Sequence, residues 1–261
     1  MRKLLLAVCT LLLFVPLGLM ADSVDPYNSG PVDFWTPPLG ESSVQGVLNE
    51  IYGTNVVNPT TNQQMAGEWG TTTPQIGLNL VAENAGYADY NAFGIWSGTN
   101  SSNLTMLNVF NGSAAPGCMA TVAFLTNGDV NIGSAGCGSS TLGINVGTFS
   151  GIDPNSFGFF LQGPGTKSGL DGAFFTAGSL NPGGNSQAAV YEGAGDTWSI
   201  FFEDLPYGGP TSDFNDQVVT IQSLVPDPES VPESSTLALL GFGLLGLYGM
   251  ISLRQKHAAM F

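Results

Sequence analysis

The chain has 261 residues with 20 Asp and Glu against 5 Lys and Arg, giving a formal charge of −15 and an isoelectric point of about 4.1. This balance argues against nucleic acid as a partner, because phosphate binding needs clustered basic side chains. Charged residues make up only 10% of the chain and apolar ones 43%, which is not the composition of a disordered protein, and 36 glycines with 16 prolines suit a turn-rich, all-β domain.

The first 21 residues read as a secretory signal peptide. Arg2 and Lys3 precede an apolar run from Leu4 to Met20, cleavage is expected after Ala21, and the chain turns polar at Asp22. Leu19 stands where a small residue is usual, so an uncleaved anchor is the alternative. Cys9 lies in mid-run without the surroundings of a lipidation site.

Residues 22–225 read as one exported domain. Val44, Val47, Leu48 and Ile51 recur at i, i+3, i+4 and i+7, which predicts a short amphipathic helix near its start. Short apolar runs broken by Gly, Asn, Ser and Pro then predict strands at 77–82, 92–96, 105–110, 119–126, 130–132, 157–161, 188–191, 198–202 and 217–224. Many short strands at this spacing predict a single antiparallel β-sandwich or jelly roll, with no fixed-period repeat and no internal linker.

Asn127-Gly128 lies between two apolar runs and is a strong signal for a two-residue hairpin, because both residue types tolerate positive φ. Facing residues across such a turn have numbers that add up to 255, and Cys118 and Cys137 satisfy this. They are the only cysteines beyond the signal peptide, so a cross-strand disulfide is expected in an oxidising compartment, worth on the order of 3 kcal/mol in the chain-entropy model. Two buried free thiols are the alternative.

The segment from Phe202 to Asp216 lies between two apolar strands and turns at Gly208-Gly209-Pro210. If those strands pair, Glu203 and Asp204 approach Asp213 and Asp216. Two like charges about 4 Å apart repel by about 4 kcal/mol at an effective dielectric of 20, and Lys167 is the only base between Asp22 and Glu233. Backbone N–H donors, proton uptake or a bound cation must offset that repulsion. The four carboxylates with the Asn215 amide and turn carbonyls form an all-oxygen set, which suits Ca²⁺ over zinc or copper. The alternative is that Asp213, Asn215 and Asp216 cap turns through the local backbone. An EF-hand is not expected, since Gln217 stands at the fifth position of the loop that Asp213 would open.

His257 is the sole histidine, so neither a Ser-His-Asp triad nor a Cys-His pair can form, and no enzyme activity is expected. Glu203 with Asp213 could serve a two-carboxylate glycosidase, as a remote alternative. Trp35, Trp69, Trp96, Trp198 and Tyr207 suit stacking on sugars, which makes a calcium-assisted, lectin-like carbohydrate binder the main alternative; packing in a sandwich core accounts for the tryptophans as well. Sequons at Asn100, Asn103 and Asn111 fall in an Asn/Ser/Thr-rich surface loop.

A linker at 226–236 leads to a charge-free stretch at 237–253, whose 17 residues span about 26 Å as a helix, the short limit for crossing a membrane. Gly241, Gly243, Gly246 and Gly249 are costly in a soluble helix but common in spans. Arg254, Lys256 and His257 follow, so the tail at 254–261 is expected in the cytoplasm and the preceding domain on the exported side. All 20 acidic residues lie between Asp22 and Glu233, so the exported part carries a net charge of −19.

The motif Val231-Pro232-Glu233-Ser234, the Gly-studded span and the basic end together resemble the PEP-CTERM sorting signal of Gram-negative exported proteins, over roughly the last 30 residues. Ser234 stands where that family has a second proline. The resemblance implies recognition by an exosortase-type membrane enzyme, a transient anchor, and association with the cell surface and extracellular polysaccharide.

Phe202-Glu203-Asp204-Leu205, Gly208-Gly209 and Asp213-Phe214-Asn215-Asp216 are similar to the hallmark of a domain of unknown function in secreted bacterial proteins, family 4114 of such domains. The likeness is specific at 157–224 and looser upstream, where Asn91 to Trp96 resembles stretches that precede the domain. It implies an exported β fold and brings no assigned reaction. The expectation is therefore a non-catalytic surface or matrix protein, with Ca²⁺ as its candidate cofactor and Glu203, Asp204, Asp213, Asn215 and Asp216 as candidate ligands, turn capping standing as the alternative.

Overall fold

The structure, a computed structural model, describes residues 30–226 apart from 72, 85, 138–142 and 209–211. The expected signal peptide, the motif at Val231 to Ser234, the helix at 237–253, and Arg254 and Lys256 lie outside the described residues. Among the described residues, no helix is long and apolar enough to cross a membrane.

Ser43 starts the expected helix, α1 (Val44–Tyr52): its Oγ accepts a hydrogen bond from Gly46 N at 3.2 Å, and Val44, Val47 and Leu48 are buried. Nine expected strands are present, with bounds shifted by a few residues: β2 (Gln75–Glu83), β3 (Ala92–Ser97), β4 (Thr105–Phe110), β5 (Met119–Phe124), β6 (Asp129–Gly136), β8 (Gly158–Gln162), β10 (Ala188–Glu192), β11 (Thr197–Phe202) and β12 (Gln217–Gln222). Four more are short: β1 (Trp69–Gly70), β7 (Gly147–Ser150), β9 (Ala173–Phe175) and β13 (Val225–Pro226). Runs this brief carry too little periodicity to stand out in a sequence.

All pairings among the named strands are antiparallel. One sheet runs β10-β11-β12-β2-β5-β6-β7, a second β4-β3-β8-β9, and β1 forms a ribbon with β13. The first two face each other across a core in which Ile76, Leu78, Leu80, Val122 and Ile132 meet Phe93, Ile95, Phe159 and Leu161. The fold is therefore all-β and sandwich-like. Phe93 stacks on Phe159 with centroids 5.5 Å apart, and Trp69 lies 5.5 Å from Phe159 and 5.6 Å from Trp198.

Burial explains which strands read as alternating and which as continuous. In β2 only Ile76, Leu78 and Leu80 are buried, because the opposite face is more open to solvent. Every residue of β3 is buried, since Trp96 and Phe160 pack with Phe175 and Leu180 on the far side of the smaller sheet. Strands β10 to β12 are likewise covered twice: Val190, Ile200 and Val219 point to the sandwich core, while Ala189, Tyr191, Phe201 and Val218 pack beneath α1.

The Asn127-Gly128 hairpin differs from the expected one. Leu125 N bonds to Asp129 O at 2.8 Å and Gly128 N to Leu125 O at 3.0 Å, so three residues make the loop. Only Gly128 of the pair adopts positive φ, at 86°. Facing pairs such as Val122 and Ile132 consequently add up to 254. A β-bulge then restores the other register, Met119 facing Gly136, and the Cys118–Cys137 disulfide closes beyond it.

Candidate cation site

β11 and β12 pair from Thr197 with Gln222 to Phe202 with Gln217. The connection at 203–216 thus leaves and re-enters the sheet at adjacent points, which brings Glu203 and Asp204 against Asp216, as the sequence suggests. Asp204 N donates to Asp216 Oδ2 at 2.8 Å, and Leu205 N donates to Glu203 Oε1 at 3.2 Å. Phe214 sits in the left-handed region at φ 54°, a conformation that costs a bulky residue about 1–2 kcal/mol. Packing holds it there: the ring is fully buried, edge-on to Phe34 at 5.8 Å and 6.0 Å from Tyr207. Its backbone N–H then donates to Glu203 Oε2 at 3.3 Å.

One carboxylate oxygen from each of Glu203, Asp213 and Asp216 lies within 4.8 Å of the others, and all three residues are buried. Asp213 Oδ1 and Asn215 Oδ1 are buried without a hydrogen-bond partner, on residues 4% and 0% exposed. Leaving such oxygens unpaired is costly, which marks them as poised for something outside the protein's own hydrogen bonds. Asp204 has one oxygen engaged elsewhere: its Oδ2 accepts from Asn91 Nδ2 at 2.9 Å. Asn215 Nδ2 donates to Ser42 O at 2.7 Å. The turn-capping alternative is thus realised in part: the Asp213 carboxylate accepts from the backbone of Asn215 and Asp216 accepts from Asp204 N, while Asp213 Oδ1 keeps no partner.

A cavity of about 410 Å³ opens on the carboxylates, lined by Pro38, Glu41, Tyr87, Leu205 and the four hairpin acids, with no base among its lining residues. Lys167 is exposed on the surface. Burial, with the Glu41 charge next, raises the Asp213 carboxyl to about 6, and burial raises Glu203 to about 7. Asp216 is pushed up by burial and by the charges of Glu203 and Asp204, and Asp204 by burial. Burial leads every one of these shifts, and no positive side chain lines the cavity to oppose it. Three converging carboxylates with an unpaired oxygen can hold a metal ion, and an all-oxygen set favours a hard one.

Sequence reasoning missed several contributors. Glu41 lines the cavity from a segment far away in the chain, and Asn91 is the residue just before β3. A Cβ on Gly163 would lie 2.1 Å from Asn91 Oδ1, and one on Gly165 would lie 2.3 Å from Asp204 O. These two glycines let the loop after β8 close on the hairpin; nothing in the local pattern of Gly163-Pro164-Gly165 shows that. Glu83, raised to about 8 by burial and then by Asp89, accepts from Gln217 Nε2 at 3.5 Å beside the hairpin's end.

The residues weighed for stacking on sugars divide. Trp69, Trp96 and Trp198 are core residues at 0–2% exposure, Tyr207 packs on Phe214, and Trp35 is exposed. The sequon asparagines serve turns: Asn103 Oδ1 accepts from Thr99 N and Asn100 N, Asn100 Oδ1 from Ser102 N, and Asn111 Oδ1 from Ser113 N. A larger depression of about 530 Å³ between α1 and the outer face of the long sheet, lined by Glu50, Tyr52, Asn79 and Thr220 among others, holds no comparable group of acids. Comparison with models of protein families, with curated proteins and with solved structures finds no match.

Proposed function

We propose that this chain is a non-catalytic component of the cell surface or extracellular matrix of a Gram-negative bacterium, exported by its first 21 residues and sorted through its C-terminal signal, and that Ca²⁺ closes its acidic hairpin. The observation that carries the cation reading is the convergence of Glu203, Asp213 and Asp216 within 4.8 Å, with Asp213 Oδ1 buried and unpaired. Asp204 and the Asn215 carbonyl complete the proposed ligand set. Calcium fits better than Mg²⁺ because it accepts six to eight oxygens in irregular geometry, whereas Mg²⁺ demands a near-ideal octahedron and dehydrates reluctantly.

Export is supported by the Cys118–Cys137 disulfide, which suits an oxidising compartment. The PEP-like motif adds the exosortase-type processing enzyme as a partner and a membrane anchor through residues 237–253. A catalytic role is not part of this reading. Glu203 and Asp213 converge with Asp216 on one point, as a chelating set does, rather than flanking a bond to be cut.

The deciding experiment pairs cell fractionation with thermal unfolding of the purified chain in calcium and in chelator. The protein is expected outside the cytoplasm, with an unfolding temperature that calcium raises and Asp213→Ala makes indifferent to calcium. A purely cytosolic pool removes the export reading, and equal unfolding temperatures in calcium and chelator remove the cation.

The cavity itself favours a second reading, calcium-assisted carbohydrate binding. It has room beside the carboxylates, and half-exposed Tyr87 on its wall offers an aromatic face. A glycan array in calcium and again in chelator separates the two readings, since silence in both leaves only the structural role.

A further inference from the structure

Residues 35–42 cross the acidic hairpin and are tied to it at both ends. Trp35 N donates to Ser212 O at 3.1 Å, and Asn215 Nδ2 donates to Ser42 O at 2.7 Å. Phe34, just before the first tie, lies edge-on to Phe214 at 5.8 Å. Between the ties the chain makes a turn, with Glu41 N bonded to Pro38 O at 3.2 Å, and Leu39 at its tip is fully exposed. Pro38 and Glu41 line the same cavity as Glu203, Asp213 and Asp216.

The hairpin's own inventory leaves a cation short of ligands. One Asp204 oxygen is engaged with Asn91, so one oxygen from each converging carboxylate, the other Asp204 oxygen and the unpaired Asn215 oxygen still fall short of the six to eight oxygens that Ca²⁺ takes. Glu41 is the carboxylate from outside the hairpin that lines this cavity. Without a cation it lines the cavity against like charges, which weakens the loop's hold there. With one, the same side chain is drawn in.

We infer that Glu41 is a ligand of the cation centre and that the 36–41 loop is its movable jaw, so that cation binding clasps the N-terminal strap onto the acidic hairpin. This inference rests on the cation reading above and adds to it a residue and a motion. A ligand set that joins segments over 160 residues apart makes cation occupancy report on the strap next to the expected signal peptide. Such a domain closes where the cation is plentiful and stays open where it is scarce.

The test uses terbium(III), a hard lanthanide stand-in for calcium, on the full chain. Tyr87 on the cavity wall and Trp35 at the loop's anchor can sensitise its emission, and decay times in H₂O and D₂O count its bound waters. The expected result is that Glu41→Gln weakens terbium binding about tenfold, because affinity follows ligand charge count, and adds bound water. Calcium is also expected to slow proteolysis within 36–41 in the wild type but not in Glu41→Gln, while Glu50→Gln, on α1 outside this cavity, behaves as wild type. Equal affinity and equal water count in wild type and Glu41→Gln overturn the jaw and leave the cation centre standing. Failure of the wild type to bind terbium removes both.

Discussion

Cys118 reaches Cys137 because a bulge cancels a turn. The three-residue loop at Thr126 to Gly128 moves β6 by one position against β5, and the bulge between Met119 and Ala120, where Ala135 is the extra residue, moves it back. The cysteines pair at the separation the simpler hairpin would have given, through two offsetting departures from it.

Replacing both cysteines by serine is expected to lower stability by about 3 kcal/mol, from the chain-entropy cost of a loop of 19 residues. Urea unfolding of the oxidised protein and of the double variant measures it. Deleting Ala135 removes the correction while keeping both thiols. Thiol titration of the unfolded variant should then find two more free groups than the wild type has.

The cation-free site makes stability depend on pH in an unusual sense for acids. Asp213 rises from 3.8 to about 6 and Glu203 from 4.5 to about 7, so between these limits the folded state holds more protons than the unfolded one. Stability is present in full below pH 4 and is lost as pH rises through 6 and 7. Chelated protein should therefore unfold several degrees lower at pH 8 than at pH 5, each kcal/mol being worth about 2–4 °C. Millimolar calcium should abolish most of that difference. Asp216→Asn, which removes a charge that Asp204 N can still bond to, should raise the chelated protein's unfolding temperature at pH 8 and blunt its response to calcium.

Asn91 supports Asp204 from the position that leads into β3. Asn91→Ala leaves a buried carboxylate without its 2.9 Å donor and is expected to cost about 1–3 kcal/mol. Chemical unfolding at pH 8 measures this. If the loss persists undiminished in an Asp204→Ala background, the contact is not its source, since the double-mutant cycle isolates the pair.

Gly165 acts by being small. A methyl group there would meet Asp204 O at 2.3 Å, a backbone atom that cannot swing aside. Gly165→Ala should push the start of the hairpin away, cost about 1–3 kcal/mol by overpacking, and weaken calcium binding. Calorimetric titration with calcium checks the last point. An unchanged dissociation constant would show that the loop after β8 does not position the carboxylates.

Local pattern made much of the domain legible. The i, i+3, i+4, i+7 spacing of Val44, Val47, Leu48 and Ile51 marks α1, and nine apolar runs mark nine strands, because burying one face or two imposes a period that short windows record. The acidic hairpin was equally readable, since two adjacent strands force their connecting ends together and four carboxylates there need a partner.

What composition and spacing determine is thus the all-β character, the cysteine pair and the crowding of negative charge at one hairpin. Which of those charges converge was decided by the tertiary structure. Asp204 turns to Asn91, Phe214 adopts its left-handed backbone under the ring of Phe34, and Glu41 arrives from the strap. Each depends on packing between segments far apart in the chain, and contacts of that kind leave no period in the sequence for a local reading to find.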